Sequence, residues 1–257
     1  MAASKPILWH LPVSHFSEKA RWALAYKGVE HERRSPPPGA HMAVALWLTG
    51  GRQKTFPVID FGDRRVGDST AIIAVLEQRE PEPPLYPEDP DERRRALELE
   101  DWFDEQLGPH IRRYVFHELA RDRERMGRLS AAQLPGPPAL AGRIGEAYVN
   151  LRFGVGNERK AGVARGKVLA ALDRLDAELG DGEYLVGGRF SVADLTAAAL
   201  FYPLVLPPEG PRIPTDMPAP LERFRAPLRE RPGWRFVEEM FRRHRRRSRP
   251  APRAAAG

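Results

Sequence analysis

Apolar positions in the first third of the chain change period every few residues. Ile7, Leu8 and Trp9 run together between Pro6 and His10 and predict a short strand. Leu11-Pro12-Val13 connects it to a helical pattern in which Phe16, Ala20, Ala23 and Leu24 share one face and Gly28 supplies the stop. Val29 to Arg33 reads as a second strand, Pro36-Pro37-Pro38-Gly39 as a loop, and His41 to Leu48 as a short helix closed by Gly50-Gly51. Val58-Ile59-Asp60-Phe61 and Arg64-Arg65-Val66 flank Gly62-Asp63, a turn pair between two short runs, which predicts a β-hairpin. Asp68-Ser69 then opens a helix with Ile72, Val75, Leu76 and Arg79 on successive turns. The predicted order is β-α-β-α-β-β-α within the first ~80 residues.

Pro81-Glu82-Pro83-Pro84-Leu85-Tyr86-Pro87 carries no periodicity, and proline at this density makes a stiff linker. Everything after it reads as helical. Asp89-Pro90 opens one long helix with Leu99, Phe103, Leu107 and Ile111 at four-residue steps, and Gln133 to Leu140 is a proline-rich loop. Val168, Leu172, Leu175 and Leu179 form another stripe, and a last helix begins near Gly233 with Trp234, Val237, Met240 and Phe241 on its apolar side. The expected domains are 1–80 and 89–246, followed by a disordered basic tail, 247–257.

Composition narrows the partners. A length of 257 residues suits two small domains, and 42% hydrophobic content is enough for packed cores. No run approaches the ~18 apolar residues of a membrane span. The opening MAASKPILWHLPVSH is too short and interrupted in its apolar stretch for a signal peptide. There is no cysteine, which excludes disulfides and cysteine nucleophiles and removes the main ligand of structural zinc sites. A cytoplasmic protein without membrane partners is expected. The net charge is +6, but arginine is in excess throughout. The densest run, Arg242 to Arg247, reads as a solvated helix end leading into the tail rather than as a nucleic-acid site.

Four motifs carry a physical reason. In Thr55-Phe56-Pro57-Val58-Ile59 a proline stands at a strand entrance, where it has no N–H to give the ladder. It is either an ordinary edge proline or a cis proline that turns the backbone of Phe56 outward for an extended, peptide-like ligand. In Asp68-Ser69-Thr70-Ala71-Ile72 a hydroxyl at a helix start is an N-cap, and the exposed N–H groups there also suit a carboxylate. Ser14-His15-Phe16-Ser17-Glu18-Lys19 places a hydroxyl where strand gives way to helix. Ser14 is either a cap or a donor to a bound thiolate, and His15 reads as a surface residue beside it. Phe190-Ser191-Val192-Ala193-Asp194-Leu195 is a capping box with a hydrophobic staple and belongs to folding. His110 and His117 are seven residues apart, about 10 Å along a helix, too far to share a metal, and no metal is expected.

Taken in order, the first strand, Ser14-x-x-Ser17 with Lys19 and Arg21, Lys27-Gly28, Phe56-Pro57-Val58-Ile59, Asp68-Ser69-x-Ala71-Ile72 and the Ser191-x-x-Asp194 box resemble the glutathione S-transferase superfamily, bacterial members among them. The resemblance implies a thioredoxin-like N-terminal domain followed by an all-helical domain, with glutathione as co-substrate, a small-molecule electrophile and a homodimer. It implies that Ser14 occupies the place of the activating serine or cysteine. Serine there means thiolate stabilisation and conjugation, not mixed-disulfide exchange. It implies that Phe56 pairs with the cysteinyl part of glutathione, that Pro57 is the cis proline, and that Asp68 and Ser69 hold the γ-glutamyl end. Gln53 or Lys54 would reach the glycine carboxylate, although His41 to Lys54 departs from the family pattern. A non-catalytic binding or protein-interaction module on the same fold is the alternative. Removal of everything after Arg247 is expected to leave the melting temperature unchanged, because Arg249 to Gly257 has no apolar period to pack.

Overall fold

The structure is a computed structural model that describes residues 5–36, 39–122, 124–126, 128, 137, 140, 143–144, 147, 156–213 and 216–245. The chain forms two compact units, Met1–Pro84 together with Arg243–Gly257, and Leu85–Arg242.

Among its described residues the first unit has a four-stranded sheet and three helices of its own. Strands β1 (Ile7–Trp9), β2 (Glu32–Arg34), β3 (Val58–Asp60) and β4 (Arg65–Gly67) lie in the order β2-β1-β3-β4. The β1/β2 pair is parallel and the other two are antiparallel. Helices α1 (His15–Tyr26), α2 (His41–Leu48) and α3 (Ser69–Arg79) follow the predicted order. Alternation along the strands splits the core. Trp9 and Val58 are register partners in a cluster with Ala45 and Leu48 of α2, while their neighbours Leu8 and Ile59 turn to the opposite face. Helices α1 and α3 pack together with Ala20, Ala23, Leu24, Ile72 and Ile73 buried.

The second strand begins later than predicted, because Val29 belongs to the end of α1. Gly28 has φ +68°, its N–H reaches Ala25 O at 3.2 Å, and Val29 N–H reaches Leu24 O at 2.9 Å. This is a Schellman closure, which spends the first residue of the predicted strand on satisfying helix carbonyls. Lys27 beside it is buried. Its ammonium donates to the carbonyls of Glu80, Pro81 and Pro83 at 2.7, 3.1 and 3.0 Å and pairs with Glu77, which fixes the end of α3.

Among its described residues the second unit has helices and no strand. The expected long helix after Asp89 is instead two, α4 (Pro90–Gln106) and α5 (Gly108–Ala120). The four-residue apolar stripe crosses the break unbroken, but Pro109 lacks an N–H for the carbonyl of Glu105 and Gly108 adds freedom. The Gln133–Leu140 segment lies almost wholly outside the described residues. Helices α6 (Glu158–Leu179), α7 (Val192–Val205), α8 (Ala219–Arg225) and α9 (Pro232–His244) follow, the last two residues of α9 grouping with the first unit. Every residue of α7 is buried, so it is the axis on which α4 and α5 pack.

Asp194 anchors the start of α7. Its carboxylate accepts from Leu185 N at 2.7 Å and from both the backbone N and the Oγ of Ser191 at 2.8 Å. Burial pushes it up to about 6, against the lowering effect of those three donors. Asp194→Ala removes the common acceptor of three buried donors, each costing about 1–3 kcal/mol unpaired. A loss of about 3–5 kcal/mol in urea unfolding is expected; a loss below 1 kcal/mol would show that the box is dispensable.

Candidate functional site

Strand register brings the predicted site segments to one end of the sheet. Trp9 lies opposite Val58 and Val58 opposite Gly67. The chain leaving β1, the chain entering β3 and the chain leaving β4 therefore emerge together. They carry Ser14, Phe56-Pro57 and Asp68-Ser69. Two side contacts hold the groups: Asp68 N donates to Pro57 O at 3.2 Å, and Lys19 Nζ to Thr70 Oγ1 at 2.9 Å, which ties the start of α1 to that of α3.

Ser14 is the N-cap of α1, with φ −80° and ψ 126°, and its Oγ accepts from Ser17 N at 3.3 Å. An oxygen that accepts in a cap keeps its own O–H to donate, so capping and ligand contact are compatible here. The Phe56–Pro57 bond is cis, as expected. The Phe56 ring is buried with Ala45, Leu48 and Val58, and among the described residues its backbone N–H and C=O make no hydrogen bond. Asp68, at φ +75°, caps α3 by accepting from Thr70 N and Ala71 N at 2.9 and 3.2 Å. Asp68 is thus the cap, and Ser69 is the first helical residue. Among the described residues the Oγ of Ser69 is buried without a partner.

Gln53 reaches the same end. Its Oε1 stands 2.2 Å from where a Cβ on Gly67 would be, so only glycine lets it approach. Its Nε2 donates to Thr55 O and Oγ1 at 3.3 and 3.2 Å. Lys54 is exposed, and among the described residues no bond ties it to the others.

Beneath Ser14 lies a charged layer that the sequence pattern does not reveal. His15 is buried rather than at the surface. Ser17 is buried, and its Oγ accepts from Leu11 N at 3.2 Å, so it holds the loop before Ser14 as well as taking part in the cap. Arg21 is buried and donates to Leu11 O at 3.3 Å, to Pro12 O at 3.0 Å and to His10 Nδ1 at 2.7 Å. Accepting at Nδ1 leaves the His10 proton on Nε2. Burial, then the Arg21 guanidinium, push His10 down to about 3. Glu18 is fully buried and bound by Arg21 and Arg245; burial opposes its ionisation, but the two guanidiniums outweigh it and hold the carboxyl below its usual range. Among the described residues no group of three His, Asp or Glu could hold a metal.

A thioredoxin-like unit followed by an all-helical unit defines a two-part class of protein, and comparison with known proteins says which. Residues 8–84 match the glutathione S-transferase N-terminal domain and residues 90–239 its C-terminal domain, so the chain belongs to the glutathione S-transferase family. It is 26% identical over 202 residues to the FtsZ-localized protein A of Caulobacter vibrioides, covering 75% of this chain and 74% of that protein. Its fold is that of a glutathione S-transferase from Sinorhizobium meliloti (TM-score 0.57, 24% identity, 91% and 92% of the two chains). A theta class enzyme from Xanthomonas axonopodis pv. citri, solved with glutathione bound, shares it as well (TM-score 0.58, 22% identity, 92% and 98%).

The buried histidine sets a pH dependence. His10 is held neutral at about 3 when folded, against 6.5 when unfolded. Below 6.5 the unfolded chain takes up the proton first, so stability falls as pH drops from 6.5 toward 3. Between pH 7 and pH 5 the loss from this group is roughly 2 kcal/mol. His10→Asn keeps an acceptor for Arg21 and removes the titration. Urea unfolding at the two pH values should show a smaller pH 5 deficit for His10→Asn; equal deficits would remove His10 as the cause.

Proposed function

We propose that this chain binds glutathione, or another low-molecular-weight thiol, at the sheet end that carries Ser14, Phe56 and Ser69, and joins it to a small electrophile. The observation that carries this reading is Ser69: a buried hydroxyl that has no partner among the described residues, at the first turn of α3. An unsatisfied buried hydroxyl is costly, and a carboxylate seated on that helix end would satisfy it. The free backbone N–H and C=O of Phe56 suit the amide of a peptide-like thiol laid across the same end.

In this reading Asp68 and Ser69 hold the α-amino-acid end. Asp68 keeps one role in the cap and presents its negative charge to an ammonium. Gln53, or exposed Lys54, meets the distal carboxylate. Ser14 donates its O–H to the sulfur at the positive end of α1, which favours the thiolate. The thiol supplies the nucleophile: its proton passes to solvent, and its sulfur forms a C–S bond to an electrophilic carbon as that carbon's bond to a leaving group breaks and the group departs with the electron pair, or, in an addition, as a C=C π bond opens and solvent protonates the carbanion. The protein's part is alignment and one shifted pKa. A cytoplasmic homodimer is part of the proposal.

A second reading rests on the similarity to the FtsZ-localized protein A: the same scaffold serves as a binding module for another protein, without conjugation. Calorimetric titration with glutathione separates the two, since the module reading expects no heat of thiol binding.

Ser14→Ala tests the chemistry. A charge-assisted hydrogen bond to sulfur is worth about 1.5–3 kcal/mol, so the bound thiol's pKa should rise by roughly one to two units. Conjugation should fall about ten- to hundredfold near neutral pH and less at high pH, where the thiol ionises unaided. Full activity in this variant would remove Ser14 from the chemistry.

A further inference from the structure

The chain segment just beyond α9 is not the solvated, featureless end that its composition suggests. Arg242 pairs with Glu239 at the surface, but the side chain of Arg245 is buried. Its Nε donates to Glu18 Oε1 at 2.5 Å. The preceding residue is tied down too, because Trp22 Nε1 donates to His244 O at 3.1 Å. Trp22 and Glu18 are both on α1 and fully buried. Placing a guanidinium there takes it out of water, a cost that only a fixed partner offsets.

Glu18 faces two ways. Oε1 takes Arg245, and Oε2 takes Arg21 Nε at 2.8 Å. Arg21 in turn spends its remaining donors on the loop between β1 and α1: Leu11 O, Pro12 O and His10 Nδ1. Leu11 O also accepts from the backbone N of Ser14 at 3.1 Å. The sequence of contacts is Arg245, Glu18, Arg21, the Leu11 carbonyl, Ser14. Each link is a directional hydrogen bond, with Glu18 and Arg21 buried and Leu11 and Ser14 half-buried, and a change of partner at one end shifts the orientation of the next.

We infer that Arg245 is a positioning residue for Ser14, acting through Glu18 and Arg21 on the Leu11–Ser14 loop. The inference rests on the proposed role of Ser14 for its functional consequence, but not for its structural one. Without Arg245 the Glu18 carboxylate has one cation in place of two. It is then free to turn both oxygens onto Arg21 and draw the guanidinium off the Leu11 and Pro12 carbonyls. The loop keeps its covalent path and its Ser17 bond and loses the clamp that fixes the direction of the Ser14 hydroxyl.

The test uses the full-length chain with Arg245→Ala and Arg245→Lys. Without any thiol, amide hydrogen exchange is followed at Leu11 and Ser14 and, as a control, in α3. Arg245→Ala should speed exchange at Leu11 and Ser14 about tenfold while α3 keeps its protection, and Arg245→Lys should restore part of it, because an ammonium keeps the charge on Glu18. With glutathione added, thiolate absorbance against pH should show a higher bound-thiol pKa in Arg245→Ala than in the parent and an intermediate one in Arg245→Lys. Unchanged exchange at Leu11 and Ser14 would overturn the inference. So would faster exchange everywhere with a lowered melting temperature in both variants, which is the signature of a merely structural residue. If the parent chain binds no glutathione, the proposed function fails; the exchange arm still decides the fate of Arg245.

Discussion

The register of three very short strands is the constraint on which the first unit depends. Trp9, Val58 and Gly67 lie side by side. That alignment alone places the Ser14 loop, the Phe56-Pro57 entry and the Asp68-Ser69 helix start at one end. A slip of one residue in β3 would turn Val58 away from Ala45 and Leu48 and bring Pro57 or Phe61 into the ladder. With three residues to a strand, few backbone hydrogen bonds resist such a slip. The side chains do so instead: Leu8 and Ile59 fully buried on one face, Trp9 and Val58 on the other.

Charge is buried in both units, and it does different work in each. Asp194 is one carboxylate meeting three donors, a closed arrangement that starts a helix. Glu18, Arg21 and Arg245 form an open one, in which each group still has donors or oxygens to spend on the next. A closed group stabilises its own turn. An open series passes the position of one residue to another far along the chain, since Glu18 and Arg245 are 227 residues apart in sequence.

The fold was largely legible because its elements follow simple periods and carry clear punctuation. Gly28, Gly62-Asp63, Asp89-Pro90 and the Ser191-Asp194 box all mark boundaries that the structure places within a few residues. The misses have local causes. An apolar stripe continues across Gly108-Pro109 because packing does not care whether the helix does, and the Schellman turn takes Val29 from the strand. Of the site, Phe56-Pro57 and Asp68-Ser69 were readable because their backbone role demands particular residue types. Glu18, and the buried bonds that join it to Arg21 beneath Ser17, were not. A buried Glu-Arg pair three apart on a helix has the same spacing as a solvated one, and its partner Arg245 belongs to a run whose composition resembles any basic tail.

Strand β2 has one further consequence. All three of its residues, Glu32, Arg33 and Arg34, are exposed and charged, and it forms one border of the sheet; β4, at the other border, opens with exposed Arg65. Rims of this kind repel a neighbouring strand that would otherwise zip onto the unpaired backbone. Extension of the sheet from one copy of this chain to another is therefore disfavoured. Any contact between copies would then fall to side-chain surfaces, whose shape and chemistry are free to vary without touching the hydrogen-bonded ribbon beneath the candidate site.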